Sequence, residues 1–217
     1  MKANHRVIAI DGPAASGKSS VARELARRLD FLYVNSGSMY RAITWYVLQN
    51  GIDPHDDASI GEYAERAEIV CDLQDKESRI LINDIDPSAH LRDDAVNKNV
   101  SVVSSVPRVR EILVEKMRDY ARKYDLVMEG RDIGSVVVPE TPYKFYIDAS
   151  PEVRRQRRAA EGQRDEIATR DRADSSRPAA PLVVAKDAEV IDTSNLTIAG
   201  AVDEIMAILK AKGLEGV

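Results

Sequence analysis

The chain has 217 residues, 44% of them hydrophobic, and carries 31 Lys and Arg against 36 Asp and Glu, for a net charge of −5. That balance excludes a chain-wide basic footprint for a nucleic-acid polymer, and no apolar run approaches the roughly 18 residues of a membrane span. The one cysteine, Cys71, excludes an internal disulfide, and with no apolar leader ahead of the first strand a reducing cytoplasm is expected.

A short apolar strand over 7–10 runs into Gly-Pro-Ala-Ala-Ser-Gly-Lys-Ser at 12–19. This is the phosphate-binding pattern G-x-x-x-x-G-K-[ST] in its required setting, with a strand before it and a helix after it. Gly12 and Gly17 lack a Cβ, so the backbone can turn tightly and approach phosphate oxygens. The amides of Gly12, Pro13 onward through Ala14, Ala15, Ser16, Gly17, Lys18, Ser19 and Ser20 then form an anion nest, Pro13 contributing shape rather than a donor. The following helix adds the positive end of its dipole. Lys18 is expected to reach the β- and γ-phosphates of ATP, and the Ser19 hydroxyl to ligate Mg²⁺. The pattern fixes the donor and leaves the phosphate acceptor open.

A helix over 19–29 follows, with Val21, Leu25 and Leu29 at four-residue spacing. A strand over 31–34 and a helix over 38–49 continue the alternation. Residues 60–100 interrupt it: apolar runs at 67–73 and 79–85 flank the polar tip Gln74-Asp75-Lys76-Glu77-Ser78, which reads as a hairpin in an inserted substrate lobe. Ile69-Val70-Cys71 reads as buried strand, so Cys71 is expected to pack rather than react. A helix over 107–124 opens on a proline, and strands over 126–128 and 144–147 come next.

Residues 154–177 break the pattern again, with eight arginines against five carboxylates and no lysine. A solvated helix with ion pairs one turn apart accounts for part of this segment. The exclusive use of arginine, whose planar fork matches phosphate oxygens, points instead to a phosphate-contacting lid. A strand over 190–191 and a helix over 198–209 complete the chain. The alternation predicts an α/β fold of three layers, a five-stranded parallel sheet with helices on both faces. The expected organisation is a single domain over 1–217, with a core at 1–59, 101–153 and 178–217, an insertion at about 60–100 and a lid at about 154–177. His5, His55 and His90 are scattered without metal spacing and are expected in surface or loop positions.

Four further motifs stand in order after the phosphate loop. They are Asn35-Ser36-Gly37-Ser38-Met39-Tyr40-Arg41, then Ser101 with Pro107-Arg108-Val109-Arg110, then Glu129-Gly130-Arg131-Asp132-Ile133-Gly134, and finally Arg170-Asp171, Asp174, Arg177 and Ala180-Pro181-Leu182. Over almost the whole chain this series resembles the bacterial cytidylate kinases, P-loop nucleoside monophosphate kinases acting on CMP and dCMP. The resemblance implies that Arg41, Arg131 and, from the lid, Arg177 hold the acceptor phosphate. It implies that Ser101, Arg110 and Asp132 read the cytosine edge, that Asp174 and Arg170 contact the ribose, and that Ser36 lies at the start of the acceptor site. It also implies a monomer with no polymer or membrane partner. The pattern departs at Asn35 and Glu129, where Asp is common, at Ser135, where Thr is usual, and in the shortness of the segment between Arg158 and Arg170.

The residue types suit that task. Cytosine offers an amino donor beside two ring acceptors; a carboxylate and a hydroxyl accept from the first, and an arginine donates to the others. Uracil would set a carbonyl against Asp132, a mismatch that can cost orders of magnitude in specificity. Phosphoryl transfer needs in-line positioning and charge neutralisation more than covalent chemistry. Lys18, Arg131 and Arg177 supply the latter, with Arg157 and Arg158 as candidates for the transferring group. Two rivals stay open at this point: a P-loop kinase for another small acceptor such as UMP or shikimate, and a non-catalytic nucleotide-binding regulator.

Overall fold

The computed structural model describes residues 5–160, 171–172, 174–176, 181–214 and 216. Five strands lie close to their expected places: β1 (Val7–Asp11), β2 (Leu32–Asn35), β5 (Leu126–Gly130), β6 (Tyr143–Asp148) and β7 (Glu189–Asp192). They are mutually parallel where paired. The hairpin strands β3 (Ile69–Gln74) and β4 (Glu77–Ile82) pair antiparallel and extend the sheet. The order is β3-β4-β2-β5-β1-β6-β7, seven strands among the described residues rather than five. The added pair joins through the register match of Tyr33 with Glu77, a bond from the Tyr33 amide to the Lys76 carbonyl at 2.8 Å, and one from the Asn35 amide to the Ser78 hydroxyl at 3.2 Å.

The hairpin tip is shorter than expected. Asp75 (φ 52°) and Lys76 (φ 62°) both take left-handed backbone. That pair makes a two-residue turn whose twist matches the flanking strands, so pairing runs up to Gln74 and Glu77. Cys71 is half-buried on β3 and packs against the core, as expected of a thiol in an apolar strand.

Strand residues alternate between two cores, as the period of two demands. Val7 and Ala9 of β1 face a cluster containing Val34, Met128, Ile43 and Leu113. Ile8 and Ile10 face one containing Val21, Leu25, Phe145 and Val202. The first cluster lies under α2 (Ser36–Gln49), α3 (Asp57–Arg66), α4 (Asp94–Val103) and α5 (Pro107–Lys123); the second lies under α1 (Lys18–Leu29) and the last helix, α7 (Ile198–Ala211). One helix more, α6 (Pro151–Ala160), carries the start of the basic segment.

Helix α2 starts two residues earlier than its apolar spacing predicts. Asn35 accounts for this, because its side-chain oxygen accepts from the Ser38 amide at 3.0 Å and caps the first turn. Helices α3 and α4 go beyond the sequence expectation. Asp56 caps α3 through the Ser59 amide at 3.1 Å, and Val96, Val100 and Val103 give α4 a buried stripe.

Candidate active site

Strand β1 ends at Asp11 and the chain turns at Gly12, where a Cβ would stand 2.1 Å from the Ile147 carbonyl oxygen. Only glycine lets the loop leave the sheet that close to β6. The loop closes at Gly17, the left-handed residue (φ 88°) that begins α1. Lys18 and Ser19 therefore occupy the first turn, beside the amides of the helix N-terminus.

One cavity of about 420 Å³ opens over this loop. Its donor side is lined by Ala14, Ala15, Gly17, Lys18, Ser19 and Ser20. Lys18 is buried and its Nζ donates to the Pro13 carbonyl at 2.9 Å, which folds the ammonium over the loop. The Ser19 hydroxyl donates to Glu129 Oε1 at 2.7 Å. Glu129 is itself buried at the end of β5 and also accepts from the Tyr33 hydroxyl at 3.2 Å. Burial, then the neighbouring Glu129 charge, pushes the Tyr33 phenol well above its ordinary range, so it stays a donor. Asn35 completes the row, donating to the Tyr33 oxygen at 3.1 Å. A hydroxyl and a carboxylate 2.7 Å apart, both hard oxygen donors, suit Mg²⁺ that brings phosphate and water ligands with it.

The far side of the same cavity is lined by Ser36, Arg41, Ser101, Arg131, Asp132, Arg158 and Asp174. Ser36 donates to the Glu129 carbonyl at 2.8 Å, fixing the start of α2 to the end of β5. Gly130 makes that junction possible, because a Cβ there would meet the Ser36 hydroxyl at 2.5 Å. Arg131 donates from Nε to Asp174 at 2.8 Å. That contact holds an arginine expected at the acceptor phosphate against a carboxylate expected at the ribose. Arg41 donates to the Gly37 carbonyl at 3.3 Å.

Several expected site residues are placed differently. Arg110 does not line the cavity. It lies behind Asp132 as a buried ion pair, with side-chain exposures of 7% and 4%, and its second nitrogen reaches the Ser104 carbonyl at 3.3 Å. Arg157 turns away from the cavity to the back of the phosphate loop. It donates to the Ser16 carbonyl at 3.1 Å and to the hydroxyl and carbonyl of Thr193 at 3.0 and 2.7 Å. Thr193 in turn donates to the Ser16 carbonyl at 2.8 Å. Arg158, its neighbour on α6, faces the cavity. Gly12, Pro13 and Ser16 form the loop's rear rather than its lining. Arg170 and Arg177 lie outside the described residues.

The separation of Arg157 from Arg158 has a helical cause, since adjacent residues on a helix point about 100° apart. Arg157→Ala is accordingly expected to act through the loop. It should raise the KM for ATP about three- to tenfold, by loosening a network of charge-assisted hydrogen bonds, while the KM for the acceptor changes less than twofold. Initial rates against each substrate check this.

Sequence reading did not single out Arg23, Ser88, Arg92 or Asn97, which also line the cavity. Arg23 pairs with Glu77 through two guanidinium nitrogens, Nε and Nη2, at 2.7 and 3.2 Å and covers the Tyr33 ring at 4.8 Å. Its place near the phosphate loop on α1 is the signal that could have found it. His90 is exposed and stacks on Trp45 at 6.0 Å, and His5 and His55 are likewise not buried.

A phosphate loop on a doubly covered parallel sheet, opening into a cavity with a second set of arginines, defines the P-loop kinase class. The chain belongs to the cytidylate kinase family, whose pattern matches residues 8–211. A Clostridium botulinum (strain Hall) cytidylate kinase is 43% identical over 94% of this chain and 97% of its own length. A Mycobacterium leprae cytidylate kinase is 42% identical over 95% and 96%. Among solved structures, a Thermus thermophilus protein superposes with a TM-score of 0.51 at 16% identity, covering 97% of this chain and 98% of its own. An uncharacterized Eubacterium ventriosum protein does so with a TM-score of 0.51 at 13% identity, over 95% and 99%. At those identities the structural likeness speaks to the fold.

Proposed function

We propose that this chain transfers the γ-phosphoryl group of ATP to CMP or dCMP, giving CDP or dCDP, with Mg²⁺ held at Ser19 and Glu129. The observation that carries this reading is one cavity bringing together a donor set, Lys18 and Ser19, and an acceptor set, Arg41, Ser101, Arg131 and Asp132. Membership of the cytidylate kinase family supports the same substrates.

The roles follow from the chemistry of each group. Lys18 and the loop amides hold the donor phosphates and neutralise charge as it develops on them. Arg41 and Arg131 hold the acceptor phosphate, and Arg158, which lines the same cavity, is the candidate for the transferring group. Asp132, braced by Arg110, accepts from the cytosine amino group, with Ser101 beside it. Asp174 meets the ribose. Mg²⁺, when bound with ATP, supplies further charge neutralisation. No general base is required, because the attacking oxygen is already a phosphate oxyanion near neutral pH.

The working organisation is a monomeric cytoplasmic enzyme. The core is 1–59, 101–153 and 178–217, the acceptor lobe about 60–100 and the lid about 154–177, with Arg177 proposed at the acceptor phosphate and Arg170 at the ribose. A regulator that only binds nucleotide would have no use for a second set of phosphate arginines, and that favours transfer.

The test is ADP release from ATP and Mg²⁺ with CMP, dCMP, UMP, AMP, GMP and shikimate as acceptors. Turnover with CMP and dCMP far above the rest is expected. Without acceptor, hydrolysis should be at least about 10²-fold slower, because an incomplete site leaves water poorly positioned for attack. Hydrolysis as fast without CMP as transfer with it would overturn the reading, and so would a preference for another acceptor.

A further inference from the structure

Asp11 is a buried carboxylate, 5% exposed, with no part in the transfer chemistry. Its two oxygens accept from two consecutive backbone amides, Ile133 and Gly134, each at 2.8 Å. In the sheet, Asp11 stands opposite Gly130. The chain between those contacts is just Arg131-Asp132, the pair that faces the acceptor side of the cavity. Asp11 thus holds the far end of that bridge through its side chain and lies beside its near end in the sheet, and the next residue along, Gly12, begins the donor loop. Asp132 sits in an unusual backbone conformation (φ −146°, ψ 25°) as the chain turns into 133–137, so its side-chain direction depends on what holds those amides.

Two adjacent N–H groups ask for two acceptor oxygens on one side chain. A carboxylate provides them and carries no donor; serine and asparagine bring a donor of their own. The choice is costly, because burial pushes the Asp11 carboxyl up to about 7 even though both amides and Arg131 pull it down. An apolar residue would serve the core better. The opposite end of the same turn is also held by charge: Arg118 donates to the Val136 and Val137 carbonyls at 2.9 and 3.0 Å. A carboxylate at the amide end and a guanidinium at the carbonyl end pin the turn along its dipole.

We propose that Asp11 is a positioning residue that clamps the chain immediately after Arg131-Asp132 and so sets the acceptor groups against the donor loop. This rests on reading Arg131 and Asp132 as acceptor-side groups. The clamp acts on in-line geometry, where an error of about 1 Å can cost about 10²-fold in rate.

The experiment is a double-variant cycle of Asp11→Asn and Gly134→Ala. The first keeps one acceptor oxygen and turns an amino group toward the second amide. The second places a methyl 3.2 Å from the Lys144 side chain, which must give by a few tenths of an ångström, and in contact with Asp11 Oδ2 at 3.4 Å, so it crowds the bond between the Gly134 amide and the carboxylate. Asp11→Asn is expected to lower kcat about 10- to 100-fold at saturating ATP and CMP, with the Kd for ATP within threefold. Gly134→Ala should lower it about threefold or more, and the double variant no further than Asp11→Asn alone.

A purely structural role would move the melting temperature and leave kcat of the folded enzyme within twofold, and that result overturns the proposal. Additive losses in the cycle also overturn it. If Asp11→Asn does not fold, Gly134→Ala decides alone: kcat within twofold of the parent rejects the clamp. Failure of the acceptor reading shows separately, as unchanged base selectivity on substitution of Asp132.

Discussion

Lys18→Ala is expected to remove transfer to every acceptor, with kcat falling by at least about 10³-fold. One preorganised donor at a developing charge is typically worth about 10²–10³, and Lys18 is a full charge in the first turn of α1, buried over the loop. The fold should tolerate the change. Alanine is the best helix former, and the Nζ bond to the Pro13 carbonyl is one that the ammonium would in any case exchange for ATP phosphates. A melting temperature within a few degrees of the parent is therefore expected beside the loss of rate. Single-turnover transfer with CMP, together with ATP binding by equilibrium dialysis, checks both halves. Retention of more than a tenth of the parental rate would remove Lys18 from the chemistry.

How far the site can be read from the sequence depends on the range of the interactions. The phosphate loop is local: two glycines, a lysine and a serine within eight residues of a strand end, and the structure sets that segment between β1 and α1, the setting the pattern requires. Four of the five parallel strands are legible for a similar reason, since each centres on a short, mostly buried apolar run; β7, at the sheet edge, buries only Ile191. Helices α3 and α4 escape the sequence reading although Ile60 and Ala64, and Val96, Val100 and Val103, do carry helical spacing. Both sit in a polar stretch where the hairpin runs stand out more strongly.

The contacts that decide where arginines point are not legible at all. Arg157 meets a carbonyl 141 positions away, and Asp11 meets amides 122 and 123 positions away. Nothing in the local pattern Arg154-Arg155-Gln156-Arg157-Arg158 says which guanidinium faces the cavity. That is set by where the first turn of α6 leaves β6 beside the loop. Asp11 is hidden for another reason: in sequence it reads as the polar residue that ends a strand, and only the sheet register with Gly130 reveals what lies across from it.

Asp132→Asn is expected to change which base is accepted, a result that a general loss of stability could not produce. The Asp132 carboxylate, at the edge of the cavity, is paired with Arg110, and both side chains are nearly buried, with exposures of 4% and 7%. Truncating it to alanine would strand a buried guanidinium, at a cost of about 3–5 kcal/mol, and would confound binding with folding. Asparagine keeps the shape and one acceptor oxygen toward Arg110, and presents an amino group where the carboxylate met the cytosine amine. Donor then faces donor for CMP, and donor faces acceptor for UMP. On the proposed reading kcat/KM for CMP should fall about 10²- to 10³-fold, and the UMP to CMP ratio should rise by at least tenfold, since a site built to bond one group rejects its mismatch strongly. The Kd for ATP should stay within threefold, because Lys18 and the loop amides are untouched. Measuring kcat/KM for both acceptors in parent and variant decides it. An unchanged ratio would mean that Asp132 only braces Arg110, and an equal loss of ATP affinity would mean that donor and acceptor groups do not form separate halves of the cavity.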